Sequence, residues 1–530
     1  MPLTDEGKKK NSLAQSLAVL GTGSDVGKSV LVTGICRLLV RTGIRVAPFK
    51  AQNMSLNSFV TLEGGEMGRA QALQAQACRL SPHVAMNPIL LKPEMDSRSQ
   101  VIVHGNVWGS RAASDYFTQT PDLFEYVKAS YQRLASQYEA IVIEGAGSAA
   151  ELNLRDRDIV NWPVVKMANA SVILVADIDR GGVFAQVLGT LDLLASEERQ
   201  RIIGIVINKF RGDARLFEDG VRMIEQRACI PVLGVLPYLR HLELDQEDSL
   251  NWNGCRKSPF SSHTVNVAVT LLPHMSNFTD FNPLEAESDV ALRYISTPQE
   301  LQGTDVLILP GTKTTMADLE YLKKKGFQRA VAQHVDNGGE VVGICGGFQM
   351  LSREISDPEG IETGGSSKGF GLLEATTEIR THKTTRQVKA FPLHIAKDHG
   401  CMVDGYEIHT GITTRQSAEP CFQIISSRSH ARAPSSSCSM EKDELALDGA
   451  INHNTLVWGT YIHGVFDQPG FRRSWLNRVR RRKGLEPLDA KVSEAVSTRL
   501  SNALDRWADH VHTHLNVDLI FSTLGNRDFF

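Results

Sequence analysis

Residues 21–29 read Gly21-Thr22-Gly23-Ser24-Asp25-Val26-Gly27-Lys28-Ser29. An apolar run, Leu17–Gly21, leads into them and an amphipathic stretch, Ser29–Arg41, leads out, so the segment is predicted to join a strand to a helix. In that setting backbone N–H groups and the helix N-terminus converge on phosphate oxygens. Lys28 can reach the terminal phosphates and the Ser29 hydroxyl can ligate magnesium. One residue more than usual separates Gly21 from Gly27, which puts Thr22 in the customary glycine position.

Outward from this loop, runs rich in Val, Ile and Leu alternate with longer amphipathic stretches as far as about Tyr238. Strands are predicted at Leu17–Gly21, Arg45–Lys50, Gln100–His104, Ala140–Glu144, Ser171–Ala176, Ile202–Asn208 and Val232–Pro237. Helices are predicted at Ser29–Arg41, Glu66–Arg79, Asp122–Gln137, Val183–Leu194 and Ala214–Cys229. This alternation predicts a doubly wound α/β domain around a parallel sheet. The strand ending in Glu144 aims at Gly145-Ala146-Gly147, which places that carboxylate at the sheet edge where a second magnesium ligand beside Ser29 is needed; the plainer alternative is an exposed strand end. Asn208 closes a further strand, in a stretch resembling a base-recognition loop, and offers both a donor and an acceptor to adenine.

The whole chain has 530 residues, more than one core of about 250–300 residues supports, so two main domains are expected. With 42% hydrophobic and 22% charged residues it has the composition of an ordinary globular protein. A net charge of −3 gives no electrostatic case for nucleic acid or anionic membrane as partner. No apolar run approaches the roughly 18 residues of a membrane span. The eight cysteines are scattered without CxxC pairs, which suggests neither a disulfide framework nor a zinc site and fits a reducing cytoplasm.

A second α/β series follows a polar, aperiodic linker, with strands at Val265–Leu272, Asp305–Leu309 and Glu340–Ile344 and helices at Thr315–Asn337 and Phe348–Glu354. Between the last strand and helix stands Gly343-Ile344-Cys345-Gly346-Gly347, a nucleophile elbow in which small neighbours let a strained turn expose Cys345. The Gly346 N–H points at a developing oxyanion, and the Pro310-Gly311-Thr312 loop supplies a second donor from Gly311. His463, just beyond a strand, is the predicted general base, giving acyl transfer from the glutamine side-chain amide. A buried small cysteine and a satisfied loop histidine are the plainer readings. Class I glutamine amidotransferases carry a glutamate two residues after this histidine. Here that position is Val465, so Asp467 or a more distant carboxylate is expected to orient the ring.

The domain plan is therefore an ATP-binding synthetase domain over 13–245, a linker over 246–263, a glutamine amidotransferase domain over 264–485 with a mobile insertion at 426–440, and a C-terminal helical segment over 486–530. The phosphate loop, read as GTxSxxGKS, resembles that of dethiobiotin synthetase. Further segments, Phe49–Asn57, Glu66–Gln71, Asn87–Pro93, Ala176–Phe184, Ser276–Phe281, Pro310–Lys313 and Gly405–His409, together make nearly the whole chain resemble the cobyric acid synthases of cobalamin biosynthesis. That resemblance implies ATP- and glutamine-driven amidation of the b, d, e and g carboxylates of adenosylcobyrinic acid a,c-diamide. ATP and Mg2+ serve as cofactors, and cobalt arrives only inside the corrinoid. Lys50, Asn53, Asn57, Gln71, Asn87 and Lys92 are expected to face that substrate, with helix caps and surface polars as the alternative. Rival readings are a cobyrinic acid a,c-diamide synthase and a partition-type switch ATPase. The oligomeric state is left open.

Overall fold

Two parallel sheets organise the computed structural model, which describes residues 14–94, 98–239, 242, 244, 259–396, 401–429 and 446–524. The first contains, in spatial order, Val232–Pro237, Ile202–Phe210, Ser171–Asp177, Gln15–Gly21, Ala140–Glu144 and Val46–Phe49, all parallel. Strands buried on both faces need continuous apolar runs. Ala140–Ile143 and Val172–Ala176 are fully buried. The order reverses beside Gln15–Gly21, and ligands of open α/β sheets bind at such a switch point.

The expected strand Gln100–His104 belongs elsewhere. It falls in Arg98–Val103, within a four-stranded sheet with Gln52–Met54, Ile89–Pro93 and Asn106–Ala112. The cause is local: His104 and Gly105 both take positive φ, 46° and 80°, and turn the chain straight back as a hairpin instead of leading into a crossover helix.

The second parallel sheet runs Val290–Ile295, Val265–Thr270, Val306–Leu309, Glu340–Ile344 and Val457–Thr460, with the short Ala450–Ile451 antiparallel at its edge. The single helix expected over 315–337 is two, Thr315–Lys324 and Phe327–Asp336, broken at Gly326 with φ 88°. The helix after the elbow is Gly346–Leu351, and Glu354 already begins a strand, Glu354–Asp357. A seven-stranded, mostly antiparallel sheet, whose long members are Ala375–Pro392 and Val403–Arg415, was not anticipated. Part of the expected mobile insertion is also strand, Phe422–Ser429, and 430–440 lie outside the described residues, as do 246–258 of the linker.

The helix Val496–His514 returns to the first half of the chain. Leu504, Trp507, Ala508 and Val511 bury themselves on the phosphate-loop helix Lys28–Arg41, where a Cβ on Gly34 would lie 2.8 Å from the Trp507 indole nitrogen. Trp507 donates to the Val30 carbonyl at 2.7 Å, and Arg37 makes two 2.8 Å bonds to Asp505. Among the described residues no helix is long and apolar enough to cross a membrane.

Candidate active site

The phosphate loop occupies residues 22–27 between the strand Gln15–Gly21 and the helix Lys28–Arg41. Gly27 has φ 98°, which favours glycine, and a Cβ there would also strike the Asn208 amide at 2.1 Å. Lys28 lies curled in the loop, its Nζ donating to the Gly23 and Gly147 carbonyls at 2.9 Å each. Glu144 is wholly buried and accepts from Ser29 Oγ at 2.8 Å, Lys50 Nζ at 2.7 Å and Gln74 Nε2 at 2.5 Å. A serine hydroxyl beside a carboxylate is a hard-oxygen donor pair of the kind magnesium takes, so these residues fit a magnesium–nucleotide complex.

These groups open onto a cleft of about 1630 Å³ between the two halves of the chain. Lys50 and Asn53, two of the six expected substrate residues, line it. The other four expected substrate residues are spent inside the protein. Gln71 donates to Glu144 at 3.4 Å and accepts from Asn53 at 3.0 Å. Asn87 bonds the Lys50 and Ile89 carbonyls and the Gly68 N–H. Lys92 pairs with buried Glu66 at 2.9 Å, and Asn57 is 3% exposed and off the cleft wall. Buried polar groups must find partners, and Gln71, Asn87 and Lys92 find theirs within the protein. Asn208 lines the cleft too, and its amide donates to the Val26 carbonyl of the phosphate loop at 2.8 Å.

In the second half, Cys345 sits at φ 52°, ψ −109°, a strained conformation for a residue with a Cβ. Its glycine neighbours are required sterically: a Cβ on Gly343 would lie 2.6 Å from the Gly347 carbonyl oxygen, and one on Gly347 2.0 Å from that of Leu309. Gly346 packs against the loop at Gly311, where a Cβ would stand 3.2 Å from the Thr312 nitrogen. The Cys345 Sγ lies 3.5 Å from the Ile408 carbonyl. Beside that carbonyl His409 stacks on Tyr461, and burial pushes it down to about 4, so it is neutral.

His463 is fully buried, and Asp280 Oδ2 holds its Nδ1 at 2.7 Å while Asp280 Oδ1 accepts from the Gly464 N–H at 3.0 Å. The Nε2 faces the Cys345 sulfur. Burial alone would disfavour the imidazolium, but the Asp280 carboxylate and the Cys345 sulfur together push the ring up to about 10. Sequence reasoning missed Asp280. Of the two options the sequence left open, Asp467 packs against Gly464, and the more distant carboxylate, Asp280, stands within the singled-out stretch Ser276–Phe281.

A phosphate loop at the switch point of one parallel sheet, and a cysteine elbow with its histidine at the strand ends of a second, define a glutamine-dependent amidoligase. The CobQ/CobB/MinD/ParA nucleotide binding domain matches residues 17–251, and the CobB/CobQ-like glutamine amidotransferase domain matches residues 266–471. Cobyric acid synthase of Klebsiella pneumoniae (strain 342) is 46% identical over 518 residues, covering 96% of this chain and 98% of that protein. The cobyric acid synthase of Syntrophobacter fumaroxidans (strain DSM 10017 / MPOB) is 44% identical over 525 residues, covering 97% and 99%. Among solved structures, a glutamine amidotransferase matches at 14% identity and TM-score 0.29, over 41% of this chain and 99% of that one. The chain belongs to the cobyric acid synthase family.

Proposed function

We propose that this protein amidates the b, d, e and g carboxylates of adenosylcobyrinic acid a,c-diamide in the cytoplasm, giving adenosylcobyric acid, with one ATP and one glutamine consumed at each position. The observation that carries this reading is the shared cleft, with Lys28, Lys50 and Glu144 on its wall and the glutaminase half closing its other side. Its volume suits a large, polar, carboxylate-bearing acceptor.

On the glutaminase side, the Cys345 sulfur attacks the glutamine amide carbon while N–H groups at Gly346 and the Gly311 loop receive the oxyanion. His463, held by Asp280, delivers its Nε2 proton to the departing ammonia and then takes one from the water that releases glutamate. On the synthetase side, Thr22 to Gly27 cradle the phosphates, Lys28 leaves its carbonyl partners for the terminal phosphates, and Asn208 supports the loop. Ser29 and Glu144 would hold a magnesium ion, which would supply charge neutralisation on the nucleotide, and Lys50 neutralises charge on the reacting carboxylate. The acceptor becomes an acyl phosphate, which ammonia attacks. Bulk water would protonate that ammonia, so a sheltered passage between the halves belongs to the reading.

The test is to incubate the protein with ATP, magnesium, glutamine and adenosylcobyrinic acid a,c-diamide and follow corrinoid mass. Each amidation replaces a hydroxyl by an amine, a loss of about 1 Da, and Cys345→Ala is expected to work only with ammonium. Corrinoid of unchanged mass alongside continued ATP hydrolysis would overturn the assignment.

A further inference from the structure

Ser58, in the nucleotide-binding half, is fastened to the glutaminase half through its own backbone. Its N–H donates to Asn277 Oδ1 at 2.9 Å, and its carbonyl accepts from the Tyr406 hydroxyl at 3.3 Å. Both partners lead directly to the catalytic pair. Asn277, at φ 52°, precedes the single turn Phe278–Phe281 that carries Asp280. The Tyr406 ring stacks on the His463 ring, 5.3 Å between centroids and 17° from parallel.

In the other direction, Ser58 pairs with Gly68 in a ribbon of two three-residue strands, Ser58–Val60 and Glu66–Gly68. Such a ribbon is marginal by itself, so its position depends on what touches it. Phe59 and Arg69, the residues flanking that pair, line the cleft, with the Arg69 guanidinium 5.6 Å over the Phe59 ring. Gly68 leaves no room for change: a Cβ would lie 2.7 Å from Asn53 Nδ2 and 2.5 Å from Gln71 Oε1. Gln71 then reaches Glu144, which holds Ser29 of the phosphate loop. A continuous series of hydrogen bonds and close packing contacts therefore runs from the nucleotide site through Ser58 to His463.

We infer that the 58–68 ribbon couples the two sites, resting on the function proposed above: nucleotide or acceptor in the cleft shifts the ribbon, and Ser58 sets the alignment of Asp280 and His463 through Asn277 and Tyr406. Asn277 and Tyr406 are thus positioning residues. A coupling free energy of ordinary size changes the response by about 5- to 150-fold, and it acts in both directions for binding.

The experiment measures glutamate release from glutamine with no addition, with a non-hydrolysable ATP analogue alone, and with ATP plus the corrinoid acceptor. Wild type is expected to be stimulated by the additions. Asn277→Gly tolerates the positive φ and removes only the amide, and Tyr406→Phe keeps the stack and removes only the hydroxyl. Both are expected to lose about fivefold or more of the stimulation, in kcat with little change in KM for glutamine. Asn277→Asp, which still accepts from the Ser58 N–H, is expected to restore it, and Asn277→Gly is expected to retain ammonium-driven amidation. Equal stimulation in wild type and both variants, or none in wild type, overturns the inference. If wild type forms no amide even from ammonium, the acceptor assignment fails instead, while the response to the nucleotide analogue still decides the coupling.

Discussion

Asp280 grips the His463 ring, 183 positions further along the chain, at 2.7 Å, and with its second oxygen accepts from the backbone N–H of Gly464, the next residue. One carboxylate therefore sets both the ring's tautomer and the loop that carries it. A histidine so held presents Nε2 to Cys345, and the Asp280 carboxylate compensates its protonated form in a fully buried site.

Asp280→Asn preserves the shape of this arrangement and removes its charge. Glutamine-driven amidation is expected to fall by roughly 10³- to 10⁴-fold, while ammonium-driven amidation continues. Rates with both nitrogen sources, measured on the same preparation, check this; an equal loss with ammonium would place Asp280 in the scaffold and outside the glutaminase chemistry.

The pH dependence of stability follows from the same contact. The folded His463 titrates at about 10, above the roughly 6.5 of an unfolded chain. Its stabilising contribution is therefore complete below about pH 6.5 and disappears as pH rises through 10. Denaturation midpoints of wild type and His463→Gln are expected to differ most near pH 6 and to converge toward pH 10. A gap that widened with pH would mean that the ring enters the fold uncharged.

Glu144→Gln tests the nucleotide wall. It leaves the ammonium of Lys50, only 6% exposed, beside a neutral amide, and weakens the oxygen pair with Ser29. Synthesis is expected to fall by about 10²- to 10³-fold whether glutamine or ammonium supplies nitrogen, which distinguishes it from the triad variants. A rate that kept its normal magnesium dependence would speak against the assigned ligand role.

Glu340 begins the strand Glu340–Ile344 that leads into Cys345, and it is completely buried. Trp458 and Trp475 donate to it at 2.7 and 2.8 Å, and Arg478 and Arg482 pair with it. Removing one partner of a buried ion pair costs about 3–5 kcal/mol, so Glu340→Ala is expected to lower the unfolding free energy of the glutaminase half by that order. Chemical denaturation followed by tryptophan fluorescence reads it, since Trp458 and Trp475 report on this very region.

What could be read from the sequence was what the chain encodes locally. The phosphate loop and the elbow each lie within a dozen residues, between a strand and a helix whose periodicities are plain. Asp280 could not be found that way, because its partner is brought to it by tertiary packing; only its place within Ser276–Phe281 pointed to it. The large antiparallel sheet was hidden by composition. Ala375, Thr377 and Ile379 alternate inward, but Thr377 is polar, and from Arg380 to Gln387 the strand runs over exposed and half-exposed polar positions before Val388 and Ala390 turn inward again. Gln71, Asn87 and Lys92 suggested ligand contacts because their side chains seek partners. Residue type does not reveal whether that partner is a substrate or another buried group.

The C-terminal helix laid on Lys28–Arg41 ties the order of synthesis to the order of completion. The first sheet is finished in sequence at Pro237, yet the groove at Gly34 stays bare until Trp507 and Val511 have left the ribosome. Domains usually mature in the order they emerge. Here the first to emerge is among the last to be sealed, and the intervening half is clasped between the beginning and the finish of its predecessor.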